Sequence, residues 1–426
     1  MSLTITIVFF LVGVLGMPIA FALGFSSLVG LAMSGISLSM LPQRMLHAVD
    51  SFPLMSIPFF MLAGELMIKA DIMPRLIDLA NAFVGRVRGG LAHATMLAAT
   101  GLSTVSGAAV ADASALGSTL VPALKKAYGL PFASAVVAAA ANLGPIIPPS
   151  GAMIVYAIMA GPTVSINGLF LSGVVPGLVL AAAMMGWCSF VAWRRNYPLT
   201  GEAFSLCGIW RQTKRSLIIF MMPVTVIGGI VGGAFTATEG SAIAVVYALA
   251  IGFFITRTLK LSDLPEALLR SAITTAIVGA MICFAATVTF LFTVDLLPQK
   301  LAALTLAISS DPLIFNLLIA VMLFVVGTFM ESNAAYIMLV PLFHPIAVQL
   351  GIDPLLFGFL FVYNLVIGML TPPVGVVLMV VQGVTGVETK PFMREVWPFV
   401  GVQYAVLLLC IFFPPLVLWL PRMLGF

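Results

Sequence analysis

Charge is what this sequence has least of. Only 8% of its 426 residues are Asp, Glu, Lys or Arg, the first of them is Arg44, and none lies between Lys126 and Arg194. A soluble fold of this length cannot present so little charge to water, so that class is excluded. Four cysteines (Cys188, Cys207, Cys283 and Cys410) and three histidines (His47, His93 and His344) are scattered without ligand spacing. Disulfides, a metal cluster and a histidine proton relay are therefore not indicated, and the cysteines read as packing residues. No Walker motif and no nucleophile–base pair is present, which removes ATP hydrolysis and intramembrane catalysis. The small, dispersed net charge of +4 argues against a nucleic-acid partner. No basic region precedes the first apolar run, so no cleavable signal is expected.

What is present is apolar sequence: 62% hydrophobic residues and a mean hydropathy of +1.19, the composition of a polytopic membrane protein in contact with a lipid bilayer. Two stretches interrupt it in the same way, ANLGPIIPPSGAMIVYA at residues 141–157 and NLVIGMLTPPVG at residues 364–375. Proline cannot donate a helix hydrogen bond. Non-helical backbone at membrane depth is tolerated only where protein shields it or where it lines a cavity. A proline kink between packed helices accounts for one such patch; two at matching places point to a transporter's central site. The repeat extends further. Leu120-Val121-Pro122 and Gly129-Leu130-Pro131 precede the first patch, and Leu339-Val340-Pro341 and Gly351-Ile352-Asp353-Pro354 precede the second.

An all-α chain of ten full spans and two re-entrant hairpins follows. The spans are two within residues 1–41, then 52–68, 131–161, 169–193, 217–234, 240–256, 271–294, 355–381 and 399–420; the hairpins are 91–124 and 312–346. Residues 43–51, 71–88, 259–270 and 296–310 read as interfacial arms or connectors. This arrangement collects 16 of the 19 Lys and Arg residues on one face and leaves Arg44, Lys300 and Arg422 on the other. By the positive-inside rule the first face is cytoplasmic and both termini are outside. Each half then has an odd number of crossings, so the halves are inverted repeats. The expected division is scaffold at 1–90, transport unit at 91–161, scaffold spans and linker at 162–258, arm connector and scaffold span at 259–311, transport unit at 312–385 and terminal span at 386–426.

No Lys or Arg falls in the interior, so an anion there needs helix N-termini, hydroxyl and amide groups, and bound cations. Unwound carbonyls suit Na⁺. One sodium site is expected at Ser103, Ser106, Gly144, Ile147 and Pro149, and another at Gly327, Glu331, Gly368 and Thr371. Thr104, Asn142, Ser150, Ser332, Asn333 and Asn364 are the polar side chains expected to meet substrate. Glu239 reads as a solvated loop acid and Glu331 as functional, and for Asp112 both readings stand.

Four strings, SFPLMSIPFFMLAGELM, GLSTVSGAAVADASALGSTLVPALKKAYG, NLGPIIPPSG and NLVIGMLTPPVG, resemble the large membrane subunit of tripartite ATP-independent periplasmic (TRAP) transporters. The resemblance covers essentially the whole chain. It implies a sodium-coupled, elevator-type importer of an organic acid in a bacterial inner membrane, with sodium as the coupling ion and no other cofactor. It also implies a small four-helix membrane subunit and a periplasmic substrate-binding protein as partners. Sialic-acid members are most similar in character, with C4-dicarboxylate members next. A stand-alone symporter and a channel are the rival classes; polar residues gathered at two breaks favour a carrier over a continuous pore.

Overall fold

Proline and glycine cut the apolar chain into twenty helices in a computed structural model that describes residues 1–84, 86–200, 206–308, 311–372 and 374–426. The side chain of Cys207, linker residues 201–205, the end of the second arm at 309 and 310, and Pro373 lie outside the described residues. The first half contains α1 (Ser2–Val14), α2 (Ile19–Ser34), α3 (Met40–Val49), α4 (Ser56–Lys69), α5 (Met73–Val84), α6 (Gly90–Ser106), α7 (Ala109–Tyr128), α8 (Leu130–Ala141), α9 (Gly151–Ala160) and α10 (Ile166–Arg194). The second contains α11 (Leu206–Val231), α12 (Ala237–Ala250), α13 (Leu264–Val294), α14 (Leu297–Ile308), α15 (Pro312–Phe329), α16 (Ser332–Gln349), α17 (Pro354–Gly368), α18 (Val376–Thr385), α19 (Thr389–Phe412) and α20 (Pro415–Met423). Among the described residues the one extended pairing is a two-residue antiparallel ladder, Val87–Arg88 with Leu199–Thr200.

The halves match element by element. The span α4, arm α5, hairpin α6–α7, broken helix α8–α9 and long helix α10 recur as α13, α14, α15–α16, α17–α18 and α19. Their contacts interleave the same way: α7 packs on α18 as α16 packs on α9, and α8 packs on α19 as α17 packs on α10. A symmetric link of this kind forms one body from two repeats, because each hairpin is supported by the other half's broken helix. The Tyr156 hydroxyl of α9 lies 2.9 Å from His344 Nδ1 of α16, and the Thr163 hydroxyl lies 2.9 Å from Nε2 of the same ring. His344 is thereby a buried link between halves.

Among the described residues six helices are long and apolar enough to cross a membrane; five fall on expected crossings and the sixth is α15, the first arm of the expected second hairpin. The other expected crossings coincide with shorter apolar helices. One expectation changes. The last crossing is α19, displaced upstream of 399–420, because Pro414-Pro415 halts the helix and α20 turns back onto α10. Helices α10, α19 and α20 pack with one another and with α6, α8, α15 and α17, while α4 packs with α12 and α13.

The arms are secured by local chemistry. Helix α3 has no buried residue, which suits an interfacial element, and Arg44 stacks 4.1 Å from the centroid of Phe290. Helix α5 instead buries Met73, Leu76, Leu79 and Ala80 against α6 and α11. Asp295, just beyond α13, takes hydrogen bonds from the backbone and hydroxyl of Ser2 and from Lys300, and these bonds hold its carboxyl below the usual range. Glu239 is exposed as expected but ordered: with Thr236 it forms a capping box at the start of α12.

Helix α10 supports the first break through a glycine. A Cβ at Gly173 would stand 2.3 Å from the Ile146 carbonyl oxygen, whereas at Gly186 of the same helix nothing lies within 4 Å. A backbone neighbour cannot rotate away, so Gly173→Ala is expected to destabilise the protein by about 1–3 kcal/mol. Gly186→Ala should be neutral or slightly stabilising. Thermal unfolding of the two variants in one detergent checks the pair, and equal midpoints would refute the contact.

Candidate functional site

Helix α8 stops at Ala141, and the nine residues from Asn142 to Ser150 run as turns before α9 begins. The cause is Pro145, Pro148 and Pro149, which supply no N–H to a helix ladder; the Pro148–Pro149 bond is cis. All nine residues are buried. The Pro145 carbonyl accepts from Ser150 Oγ at 2.6 Å. Among the described residues no hydrogen bond reaches the carbonyl oxygens of Gly144, Ile147 or Pro149. Buried carbonyls without donors are costly in an apolar interior and suit a hard cation.

The first hairpin turns against this break. Helix α6 ends at Ser106, Gly107 adopts a left-handed φ of 60°, and α7 starts at Ala109. Glycine is required at the turn twice over: a Cβ on Gly107 would lie 2.4 Å from the Pro149 carbonyl oxygen, and the φ itself is unfavourable for a side chain. Ser106 Oγ donates to Asp112 Oδ1. Ser103 Oγ donates to the Ala99 carbonyl at 2.7 Å and keeps its lone pairs free. Asp112 is wholly buried, its Oδ2 has no partner among the described residues, and that oxygen would sit 2.7 Å from a Cβ on Gly144. The structure thus brings Ser103, Ser106, Gly144 and Pro149 to one place, with Asp112 over them. Ile147 shares the break, its side chain turned to Gly177 of α10. Thr104 is half-buried and donates to Gly101 within its own helix at 2.7 Å.

The second hairpin meets the second break by backbone contact. A Cβ on Gly368 would lie 2.6 Å from Gly327 Cα. Val374 N donates to the Thr328 carbonyl at 3.1 Å, which ties the segment after α17 to the end of α15. Thr371 Oγ1 donates to Ile367 O at 3.1 Å. Gly327, Gly368 and Thr371 therefore belong to one junction.

Several expected ligands have other duties. Glu331 caps α16: its Oε2 accepts from Ala334 N at 3.1 Å and its Oε1 from Asn333 Nδ2 at 2.9 Å. That geometry makes Glu331 and Asn333 part of the hairpin turn and leaves lone pairs on both Glu331 oxygens. Ser150 caps α9, accepting from Met153 N at 3.4 Å. Asn142 and Asn364, expected to contact substrate, also bridge helices, and Asn142 Oδ1 is buried without a partner among the described residues. Asn142 Nδ2 donates to Val366 O at 2.9 Å and to Gln403 Oε1 at 3.1 Å. Asn364 Nδ2 donates to Ala320 O at 2.7 Å while its Oδ1 accepts from Tyr404 at 2.9 Å. Asn142 thus gives both of its amide protons to neighbouring helices, and Asn364 donates to one helix and accepts from another. Of the expected substrate ligands, Ser332 has a buried hydroxyl without a partner among the described residues.

Sequence reasoning left Asp112 open and missed Gln403 and Tyr404 as supports. Asp112 was visible as an acid in apolar sequence. The signal for Gln403 was a single amide in the apolar run FVGVQYAVLLLC.

The family model described as tripartite ATP-independent periplasmic transporter, DctM component, matches residues 6–416. The sialic acid TRAP transporter large permease protein SiaM of Vibrio cholerae is 37% identical over 410 residues, which cover 96% of this chain and 95% of that protein. The C4-dicarboxylate TRAP transporter large permease protein DctM of Pseudomonas aeruginosa is 36% identical over 406 residues, 95% of this chain and 94% of that one. The isethionate TRAP transporter permease protein DctMQ of Oleidesulfovibrio alaskensis is 35% identical over 94% of this chain but only 63% of its own length. Among solved structures, the YdaH transporter of Alcanivorax borkumensis aligns with a TM-score of 0.63 at 15% identity over 88% of each chain, a likeness of fold alone. The chain belongs to the DctM-component family: it is a large permease subunit of a TRAP transporter, and not an enzyme.

Proposed function

We propose that this permease imports an organic acid together with Na⁺ by an elevator movement across a bacterial inner membrane, with both termini periplasmic. The acid is delivered by a periplasmic binding protein, and a small four-helix subunit completes the membrane complex. The observation that carries the sodium reading is the first break, where the buried residues Gly144, Ile147 and Pro149 have carbonyls without hydrogen-bond donors among the described residues and Gly144 lies against the Asp112 carboxylate that Ser106 holds. An anion entering an interior without Lys or Arg is unfavourable in low dielectric, and a neighbouring cation offsets that cost. Each net positive charge carried inward gains about 2.3 kcal/mol per 100 mV of potential, so moving more Na⁺ than anion charge accumulates the acid without ATP. The second cation is assigned to Gly327, Gly368 and Thr371.

The moving body in this reading is α6–α10 with α15–α20, the group that packs together, and the static body is α1–α5 with α11–α14. Sialic acid is the first substrate to test and C4-dicarboxylates the next, since relatives of nearly equal identity carry both names. The decisive measurement is uptake into proteoliposomes holding both membrane subunits, with binding protein added outside, at fixed potential and pH. Uptake should fall to background when Na⁺ is replaced by choline and also when the binding protein is omitted. Full uptake in choline would overturn sodium coupling, and full uptake without binding protein would favour a stand-alone symporter.

A further inference from the structure

The two breaks are joined by a buried polar relay. Asn142 ends α8 two residues before Gly144, and Val366 lies two residues before Gly368 at the end of α17. The 2.9 Å bond from Asn142 Nδ2 to Val366 O is therefore a direct link from one break to the other. The Val366 carbonyl belongs to the last turn of α17, where it also accepts from Met369 N at 3.1 Å, so Asn142 is its second donor. Helix α19 fixes this link from its far side. Gln403 Oε1 takes the second Asn142 proton at 3.1 Å, and the Gln403 carbonyl accepts from the Tyr363 hydroxyl of α17 at 2.9 Å. The adjacent Tyr404 donates to Asn364 of α17, whose amide holds Ala320 of α15. Asn142, Gln403 and Asn364 are all buried to within 1% of full exclusion from solvent, so no water competes for these bonds.

We infer that Gln403 and Tyr404 are positioning residues that couple the two cation sites, so that occupation of one break prepares the other. The inference rests on the sodium reading above. A cation at Gly368 and Thr371 draws in the end of α17 and with it Val366 O, and Asn142 passes that displacement to the backbone at Gly144. Buried networks transmit such shifts because each member has few alternative partners. Coupling of this kind is reciprocal, whichever site fills first. Gln403 reaches the first break through the Asn142 amide and bonds to none of the carbonyls assigned to the cations. Its role is to hold the Asn142 amide in the one orientation that serves Val366, and an apolar residue of similar size removes that restraint while leaving the carbonyls of both breaks in place.

The test is equilibrium binding of radioactive Na⁺ to the purified two-subunit membrane complex, which needs no knowledge of the acid. The unaltered protein should bind two ions sigmoidally. Gln403→Leu should still bind two, with a Hill coefficient that falls to about 1 and a half-saturating concentration raised about fivefold or more. Tyr404→Phe, which loses only one hydroxyl, should shift both quantities in the same direction by less, and it decides the question if Gln403→Leu does not fold. A general loss of structure would lower the number of ions bound, which coupling leaves at two. An unchanged Hill coefficient in the folded variants would overturn the inference, as would non-cooperative binding of two ions to the unaltered protein; both leave sodium coupling standing. No Na⁺ binding by the unaltered protein would overturn the sodium reading and this inference with it.

Discussion

Valine at position 368 should reduce uptake to background, and alanine there should lower it by about tenfold or more. A Cβ on Gly368 meets the Gly327 carbonyl carbon and Cα at 2.6 Å and its oxygen at 2.8 Å. Every one of those atoms is backbone, so relief requires α15 to move away from α17. Forced overpacking costs about 1–3 kcal/mol, and each 1.4 kcal/mol changes an equilibrium or rate tenfold. Displacing α15 also pulls Thr328 from Val374 N, the bond that ties the second break to its hairpin. The reciprocal change is milder in geometry: a Cβ on Gly327 finds Gly368 Cα at 3.1 Å. Gly327→Ala should therefore be less harmful than Gly368→Ala. Gly383→Ala, on α18 with nothing within 4 Å, is the control for membrane insertion. Initial uptake rates at matched protein amount in proteoliposomes check the order, and wild-type rates for Gly368→Ala would show that the hairpin and the break are not held together during transport.

Much of this architecture was legible because lipid leaves a chain few choices. Charge-free runs fixed where helices lie, and prolines in an apolar run fixed where they stop, since a missing N–H cannot be replaced by water there. The hairpin turns at Gly107 and Glu331 were readable for the same reason: small and polar residues in an otherwise apolar segment mark a bend. What composition cannot say is which polar atom finds which partner. Asn142 and Asn364 look like ligands because each begins a broken patch, and composition gives no sign that both amides also bond to carbonyls of helices distant in sequence. Glu331 reads as a cation ligand, and its cap on α16 was hidden because that role depends on α16 starting one residue later. The placement of α10 with the hairpins was hidden as well, because its contacts come through Gly173 and Gly177, whose meaning appears only when Ile146 and Ile147 are seen against them.

Asp112 carries the other large expected effect. Its carboxylate is fully buried, one oxygen takes the Ser106 hydroxyl, and the other has no partner among the described residues. The ion pairs that Lys and Arg make lie elsewhere, Lys69 and Arg270 with Glu266, Arg195 with Glu395, Lys300 with Asp295 and Arg422 with Asp353. A charge in such a place must be neutralised, either by a proton of its own or by a cation beside it. The two cases separate cleanly in Asp112→Asn, which keeps the shape and removes the charge. If a sodium ion at Ser103, Ser106 and Gly144 balances the carboxylate, the variant loses the nearest negative charge to that ion. Its half-saturating Na⁺ concentration for uptake should then rise by about tenfold or more, since a charged ligand in low dielectric contributes more than 1.4 kcal/mol. If a proton neutralises Asp112, the asparagine is a close mimic and the Na⁺ dependence stays as it was. Ser106→Ala supplies the internal comparison. It removes a hydroxyl that both orients Asp112 and faces the cation, so its effect should be smaller than that of Asp112→Asn and should add little when the two changes are combined. Full additivity in that double variant would mean that the serine and the aspartate serve different sites.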